Sequence, residues 1–376
     1  MFYKTQKKLA VLISALATTC LLIVPGCGSD SSSDTTETLS TTTMALATTT
    51  TVAPTTTTVT PEPVEKPLIV VTTNILGDVV SKAVGELFDV ETIMPSGADP
   101  HVFQASAKQV DRMMKADLLV VNGANFEEGL LDVIEGAESD GVKVFEAINS
   151  VDPLEDHDEE KGHDDHDDHD DHDDHDDHAK EEDHDEHEHD DHHGHDHGGV
   201  DPHFFTDPGR MLQVVNQLSD FLVLNFSQID EGDLLSYSAE YSKKLEDLDS
   251  EVMQTLSSIP AGSRVLVTNH QVFAYFAEAY QFEILGSIIP SSSTLSNTSA
   301  KDLVDLSEKM KANGTKAIFV DASSSDALAD ALAEEVDGVQ VVSLFSESLG
   351  SENSEGSTYI DMVRTNSKLI ANALTG

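Results

Sequence analysis

Apolar residues in this chain come in short runs separated by longer stretches with helical spacing. In the first half the runs are 68–71, 90–93, 118–121 and 142–145, and two of them, LIVV and LLVV, have no polar residue at all. Runs of that kind read as strands buried on both faces of a sheet. The intervening stretches 75–87, 107–115 and 127–135 space their apolar residues as helices do, and Ser106 stands where an N-cap belongs. The scheme repeats later, with runs at 265–267, 282–285, 317–320 and 339–344 and helical stretches at 272–280, 301–311, 327–335 and 359–374. From Pro208 to Ile259 no strand pattern occurs. There, 211–224 and 234–259 read as long helices, the second with Leu234, Tyr237, Tyr241, Leu245, Leu248, Val252 and Leu256 three or four apart. Strands alternating with helices predict a parallel sheet covered on both faces. The expected fold is therefore α/β: two similar lobes, each with a four-stranded mostly parallel sheet, joined by a long helix, with a metal site between them. The lobes are expected over 67–230 and 259–376, with the linking helix at 231–258. A helical connector resists bending, so ligand-driven closure should be small.

The first 66 residues do not share this pattern. Lys4, Lys7 and Lys8 precede an apolar stretch, 9–24, that is too short for a comfortable membrane span. It ends in Val24-Pro25-Gly26-Cys27, which resembles a bacterial lipobox, although Pro25 is unusual there. Residues 1–26 are expected to be a signal peptide, and Cys27 the lipidated N-terminus of an extracytoplasmic protein anchored to the cell membrane. Cys20 would leave with the signal, so no internal disulfide can form. The rest of 27–66 is Ser, Thr and Pro with little apolar content, which predicts a disordered tether.

Charge narrows the function. Seventy acidic residues face 21 basic ones, which argues against nucleic acid or an anionic membrane surface as partner and favours cations. Much of the excess is local: 25 acidic residues fall within 151–200, together with fourteen of the seventeen histidines. In this His/Asp-rich loop, 155–198, His163, His166, His169, His172, His175 and His178 recur every third residue with Asp-Asp between them. No helix or strand face has that period, and like charges so dense predict disorder without metal. Imidazoles with an intrinsic pKa of about 6.5 are mostly neutral near pH 7. Set beside carboxylates, they predict several weak, auxiliary metal sites.

The remaining histidines stand alone. His101 closes Gly97-Ala98-Asp99-Pro100-His101, His203 closes Asp201-Pro202-His203, and His270 closes Val267-Thr268-Asn269-His270. Three imidazoles from distant segments are what a dedicated transition-metal site needs.

These phrases also carry a family resemblance. The order Pro95-Ser96-Gly97-Ala98-Asp99-Pro100-His101, Ala116-Asp117-Leu118-Leu119-Val120-Val121-Asn122-Gly123, Asp201-Pro202-His203 with Thr206-Asp207-Pro208, Asn269-His270-Gln271-Val272-Phe273-Ala274-Tyr275-Phe276, Ile318-Phe319-Val320-Asp321 and a final helix from Tyr359 resembles the zinc/manganese solute-binding lipoproteins of ABC transporters, the ZnuA- and TroA-like group. The resemblance covers 67–376. It implies a monomeric binding protein that hands metal to an ABC permease and its ATPase, with His101, His203 and His270 as the first three ligands. Manganese-binding relatives often carry a carboxylate at the third position, so His270 points to Zn2+ rather than Mn2+, nitrogen being the softer donor. The resemblance places a fourth, carboxylate ligand in a late loop, where Glu347 stands; Asp321 and water are the alternatives. Phe204-Phe205 departs conservatively from the Trp-Leu type pair of the family.

Two other functions remain open at this level. A metallohydrolase needs an open metal position and a general base; the chain has no His-Glu-x-x-His and no evident base, so no enzyme is expected. A surface metal buffer or adhesin would work through the loop alone.

Overall fold

The computed structural model describes residues 65–155 and 199–376. The lipobox cysteine Cys27 and the loop histidines His163, His166, His169, His172, His175 and His178 lie outside the described residues.

The described residues form one compact unit built on two sheets of identical topology. Strands β1 (Leu68–Val71), β2 (Asp89–Thr92), β3 (Leu118–Val121) and β4 (Lys143–Glu146) form the first, in the order β2-β1-β3-β4 and all parallel. Strands β5 (Val265–Thr268), β6 (Glu283–Ser287), β7 (Ala317–Asp321) and β8 (Gln340–Leu344) form the second, in the order β6-β5-β7-β8, again all parallel. Position in the sheet follows composition. The inner strands β1, β3, β5 and β7 are almost wholly buried, whereas the outer strands keep exposed polar residues such as Asp89, Lys143, Glu283 and Gln340.

The helices are α1 (Asn74–Val84), α2 (Ala107–Met113), α3 (Leu131–Ser139), α4 (Pro208–Asn225), α5 (Glu231–Leu256), α6 (Ala274–Tyr280), α7 (Ala300–Asn313), α8 (Ala327–Glu335) and α9 (Tyr359–Thr375). Their starts are chemically marked. Ser106 accepts from Gln109 N, and the Gln109 side chain answers the Ser106 backbone, a reciprocal cap. Asp207 caps α4 just before Pro208, and Asp230 caps α5.

One expected helix begins late. The stretch from 127 opens as a 3-10 turn, Glu128–Leu130, and becomes α-helical only at Leu131. Two contacts hold the turn. The buried Glu127 carboxylate accepts from Asn122 N and from the Thr72 hydroxyl. Gly129 lies so close to the Phe103 carbonyl that a Cβ would fall 2.2 Å from that oxygen. Helical continuation backward through 127 would break both.

Helix α5, 26 residues and about 39 Å long, lies against α1, α4 and α9. Its buried face is Leu234, Tyr241, Leu245, Leu248, Val252 and Leu256. Around it runs a single apolar layer containing residues of both lobes, among them Val79, Phe205, Leu248, Tyr275 and Tyr359. The other face of each sheet has its own smaller cluster, around Val70, Met113 and Leu119 in the first lobe and Val267, Met310 and Ile318 in the second.

Candidate metal centre

Parallel strands all end at the same edge of a sheet, and ligands of such sheets gather beyond those ends. His101 sits in the loop that follows β2, His270 two residues past β5, and Glu347 three residues past β8. His203 arrives differently. Glu155 and Val200, on either side of residues 156–198, form an antiparallel bridge. Asp201 N then donates to Leu154 O, and the Tyr275 hydroxyl from the second lobe donates to Asp201 O while accepting from Leu154 N. Asn122 Nδ2 donates to Pro202 O. His203 is thus held from three sides before its own side chain is considered.

The repeated Asp-Pro-His phrase has one local geometry. Asp99 Oδ1 accepts from His101 N at 2.9 Å, and Asp201 Oδ1 accepts from His203 N at 2.8 Å. Each carboxylate closes a small turn over the proline and fixes the histidine backbone. The rings then find different partners. His203 Nδ1 lies 2.8 Å from Asp201 Oδ1, and His101 Nδ1 lies 3.1 Å from Glu128 Oε1. In both, a carboxylate takes Nδ1 and leaves Nε2 facing inward.

The structure brings His101, His203, His270 and Glu347 together. All four are buried, and one potential ligand atom from each lies within 4.8 Å of the other three. Glu347 is the hub: its Oε1 is 2.9 Å from His270 Nε2 and 3.3 Å from His203 Nε2, and its Oε2 is 3.6 Å from His101 Nε2. A tetrahedral zinc ion with bonds of about 2.0–2.1 Å needs ligand atoms about 3.3 Å apart, and the 2.9, 3.3 and 3.6 Å spacings from Glu347 to the three imidazoles bracket that value. Among the described residues, Nε2 of His101, Nε2 of His203 and Oε2 of Glu347 are buried without a hydrogen-bond partner. Buried polar atoms rarely stay unpaired without a functional reason. Phe126 packs edge-on against both His101 and His203 and keeps that side of the cluster apolar.

Electrostatics set the four groups apart. Burial holds the His101 imidazole below its ordinary range despite the nearby Glu347 charge. Burial would depress His203 too, but Glu347 and Asp201 outweigh it and push that ring up to about 10. Burial would raise Glu347, yet the imidazoles of His203 and His270 hold it well below the usual carboxylate range. The centre is therefore anionic at its hub.

Asp321, the alternative fourth ligand, does not join the cluster. Its Oδ2 accepts from Ser346 N, Ser346 Oγ and Glu347 N, at 3.0, 2.7 and 2.9 Å, and its Oδ1 accepts from Ser323 N at 2.7 Å. With both oxygens occupied it is the post on which the Glu347 loop hangs. Nothing in the local sequence distinguished that role. The roles of Asp201 and Glu128 beside the histidine rings are set by the fold; for Asp201 the Asp-Pro-His repetition is a usable signal.

With this geometry in view, comparison with known proteins is decisive on kinship. The family described as "Zinc-uptake complex component A periplasmic" matches residues 69–373. The chain belongs to that family. Its members are metal-binding solute-binding proteins of ABC importers, a transport family rather than an enzyme family. The zinc-binding protein TroA of Treponema pallidum is 27% identical over 314 residues, covering 82% of this chain and 89% of that protein. The manganese-binding lipoprotein MntA of Bacillus subtilis is 26% identical over 318 residues, covering 81% and 89%. The solved structure of the periplasmic zinc-binding protein TroA from Treponema pallidum aligns with a TM-score of 0.65 at 25% identity, covering 83% of this chain and all of that one. The two proteins share the two-lobed α/β architecture.

Proposed function

We propose that this chain is the extracytoplasmic zinc-capturing subunit of an ABC importer, with His101, His203, His270 and Glu347 as its ligands and zinc as the ion passed to the permease. The observation that carries the reading is the convergence of three inward-facing imidazoles and one carboxylate in a buried cluster. Relatives bear both zinc and manganese in their names, so kinship does not choose the metal; the donor set supports zinc. Three nitrogens and one oxygen suit zinc, whereas manganese prefers more oxygen ligands and binds more weakly across divalent sites. In this reading residues 1–26 are a signal peptide, Cys27 carries the lipid, 27–66 is the tether, and the protein works as a monomer beside its permease and ATPase. The loop histidines His163, His166, His169, His172, His175 and His178 serve as weaker, auxiliary sites.

Competition calorimetry tests the metal. Zinc should win over manganese by several orders of magnitude, and His270→Glu should narrow that gap by adding a harder donor. Manganese binding as tightly as zinc would overturn the assignment. Removing 155–198 should abolish the weak sites and leave one tight site; loss of the tight site would instead make the loop the functional element.

A further inference from the structure

We propose that Glu128 is a positioning residue that fixes the orientation of His101 and ties it to the opposite lobe. The inference rests on His101 being a metal ligand and goes beyond that reading by naming what aims it.

Glu128 belongs to the first lobe, on the 3-10 turn ahead of α3, and Gly129 lets that turn press against the loop carrying His101. Its Oε1 receives His101 Nδ1 at 3.1 Å. The same oxygen accepts from the Ser293 hydroxyl of the second lobe in a short hydrogen bond. A parallel contact lies beside it: Thr294 Oγ1 donates to Asp99 Oδ2 at 2.8 Å, while the other Asp99 oxygen holds His101 N. Two carboxylates of the first lobe therefore each grip His101, one by its ring and one by its backbone, and each also takes a hydroxyl from consecutive residues of the second lobe.

The chemistry gives this arrangement a consequence. An imidazole that donates from Nδ1 to a carboxylate is locked in the tautomer whose Nε2 lone pair is free, and it becomes a better donor to metal. In His203 the equivalent carboxylate, Asp201, is two residues away in the same turn. In His101 the nearby aspartate is spent on the backbone, and the ring depends on a residue 27 positions along the chain. Glu128 is also accessible: a cavity of about 670 Å³ opens beside it, lined in part by His101, Phe126, Pro202 and Ser293. Separation of the lobes would break both hydroxyl contacts, Ser293 to Glu128 and Thr294 to Asp99, and leave His101 held by the two first-lobe carboxylates alone. The groups that aim His101 and the groups that touch the second lobe thus meet on two carboxylates, Glu128 and Asp99.

The test uses the full chain, with zinc alone as probe at less than one equivalent. Long-range 1H–15N correlation, with the His101 ring identified from its disappearance in His101→Ala, should show the Nδ1–H tautomer before metal is added. Glu128→Ala should mix the tautomers and weaken zinc binding by about 10–100-fold, the usual cost of losing such a partner. Glu128→Gln should keep most of the affinity, because its amide oxygen still accepts from Nδ1. Ser293→Ala should leave the tautomer unchanged and speed zinc release. An Nε2–H tautomer in the unaltered protein would overturn the proposal without any variant having to fold, as would Glu128→Ala binding zinc like the parent. If His101→Ala itself leaves zinc affinity unchanged, it is the ligand assignment that fails; a damaging His101→Ala beside a harmless Glu128→Ala defeats the positioning role alone.

Discussion

Loading the cluster near neutral pH should eject a proton, and His203 is its source. Glu347 and Asp201 push that imidazole up to about 10 against the opposing effect of burial, and Glu347 itself stays ionised. Before metal arrives the pair holds one proton, which must go because a protonated imidazole cannot ligate. At about pH 7.5 the gap to about 10 is roughly 2.5 units, or about 3 kcal/mol of competition against the metal at 1.36 kcal/mol per unit. Affinity should then climb about tenfold per pH unit between roughly 7 and 9, with one proton leaving per ion. Folding stability has the complementary sign. A histidine whose pKa is raised on folding stabilises the native state fully below its unfolded value of about 6.5, and that contribution is lost as pH rises toward about 10. Metal-free protein should lose thermal stability across that window, and the loaded protein should not. The assay is titration calorimetry with substoichiometric zinc in buffers of different ionisation enthalpy, so that only the tightest site fills. Glu347→Gln removes one of the two charges that retain the proton, and proton release should fall while absolute affinity drops. Release near zero from the unaltered protein at about pH 7.5 would refute the account of the cluster as a proton-loaded anion.

Other outcomes rest on the same geometry. Asp321→Ala strips the acceptor from Ser323 N, Ser346 N and Glu347 N; at about 1–3 kcal/mol for each buried group left unpaired, the metal-free protein should melt well below the parent, and an unchanged Tm would show that the Glu347 loop is held by something else. Leu248→Ala on α5, in the layer common to both lobes, should cost about 2–5 kcal/mol in urea with the slope unchanged; a loss confined to one lobe's signal would mean the lobes unfold independently. Gly129→Ala must move the Phe103 carbonyl or the Glu128 turn, and should weaken zinc binding in the same direction as Glu128→Ala.

The sequence carried most of the architecture because its cues were local. LIVV and LLVV can be little else than inner strands, and they are. The cap at Ser106 and the periodic face of α5 are likewise visible residue by residue. The late start of α3 was not, because it depends on Gly129 meeting a carbonyl from another loop. The convergence of the three lone histidines could be inferred from their repeated phrases and their order. The fourth group, Glu347, followed only from the resemblance and left Asp321 as an alternative, because both come after strands; the hydrogen bonds to Ser346 and Glu347 show that Asp321 supports the Glu347 loop. Glu127 and Glu128 make the same point more sharply. Adjacent and chemically alike, one turns inward to Asn122 and Thr72 and the other toward His101, a difference made by the 3-10 turn and invisible to periodicity.

The Glu155–Val200 bridge bears on heredity as much as on structure. A segment whose two ends are pinned together can gain or lose length without displacing the Asp-Pro-His turn on its far side, and doubling it costs only about 0.6 kcal/mol in loop entropy. The ties among Leu154, Asp201 and Tyr275 keep the frame of His203 independent of how many residues lie between them. A His-Asp-Asp triplet copied once too often, or dropped, would therefore be nearly neutral for folding.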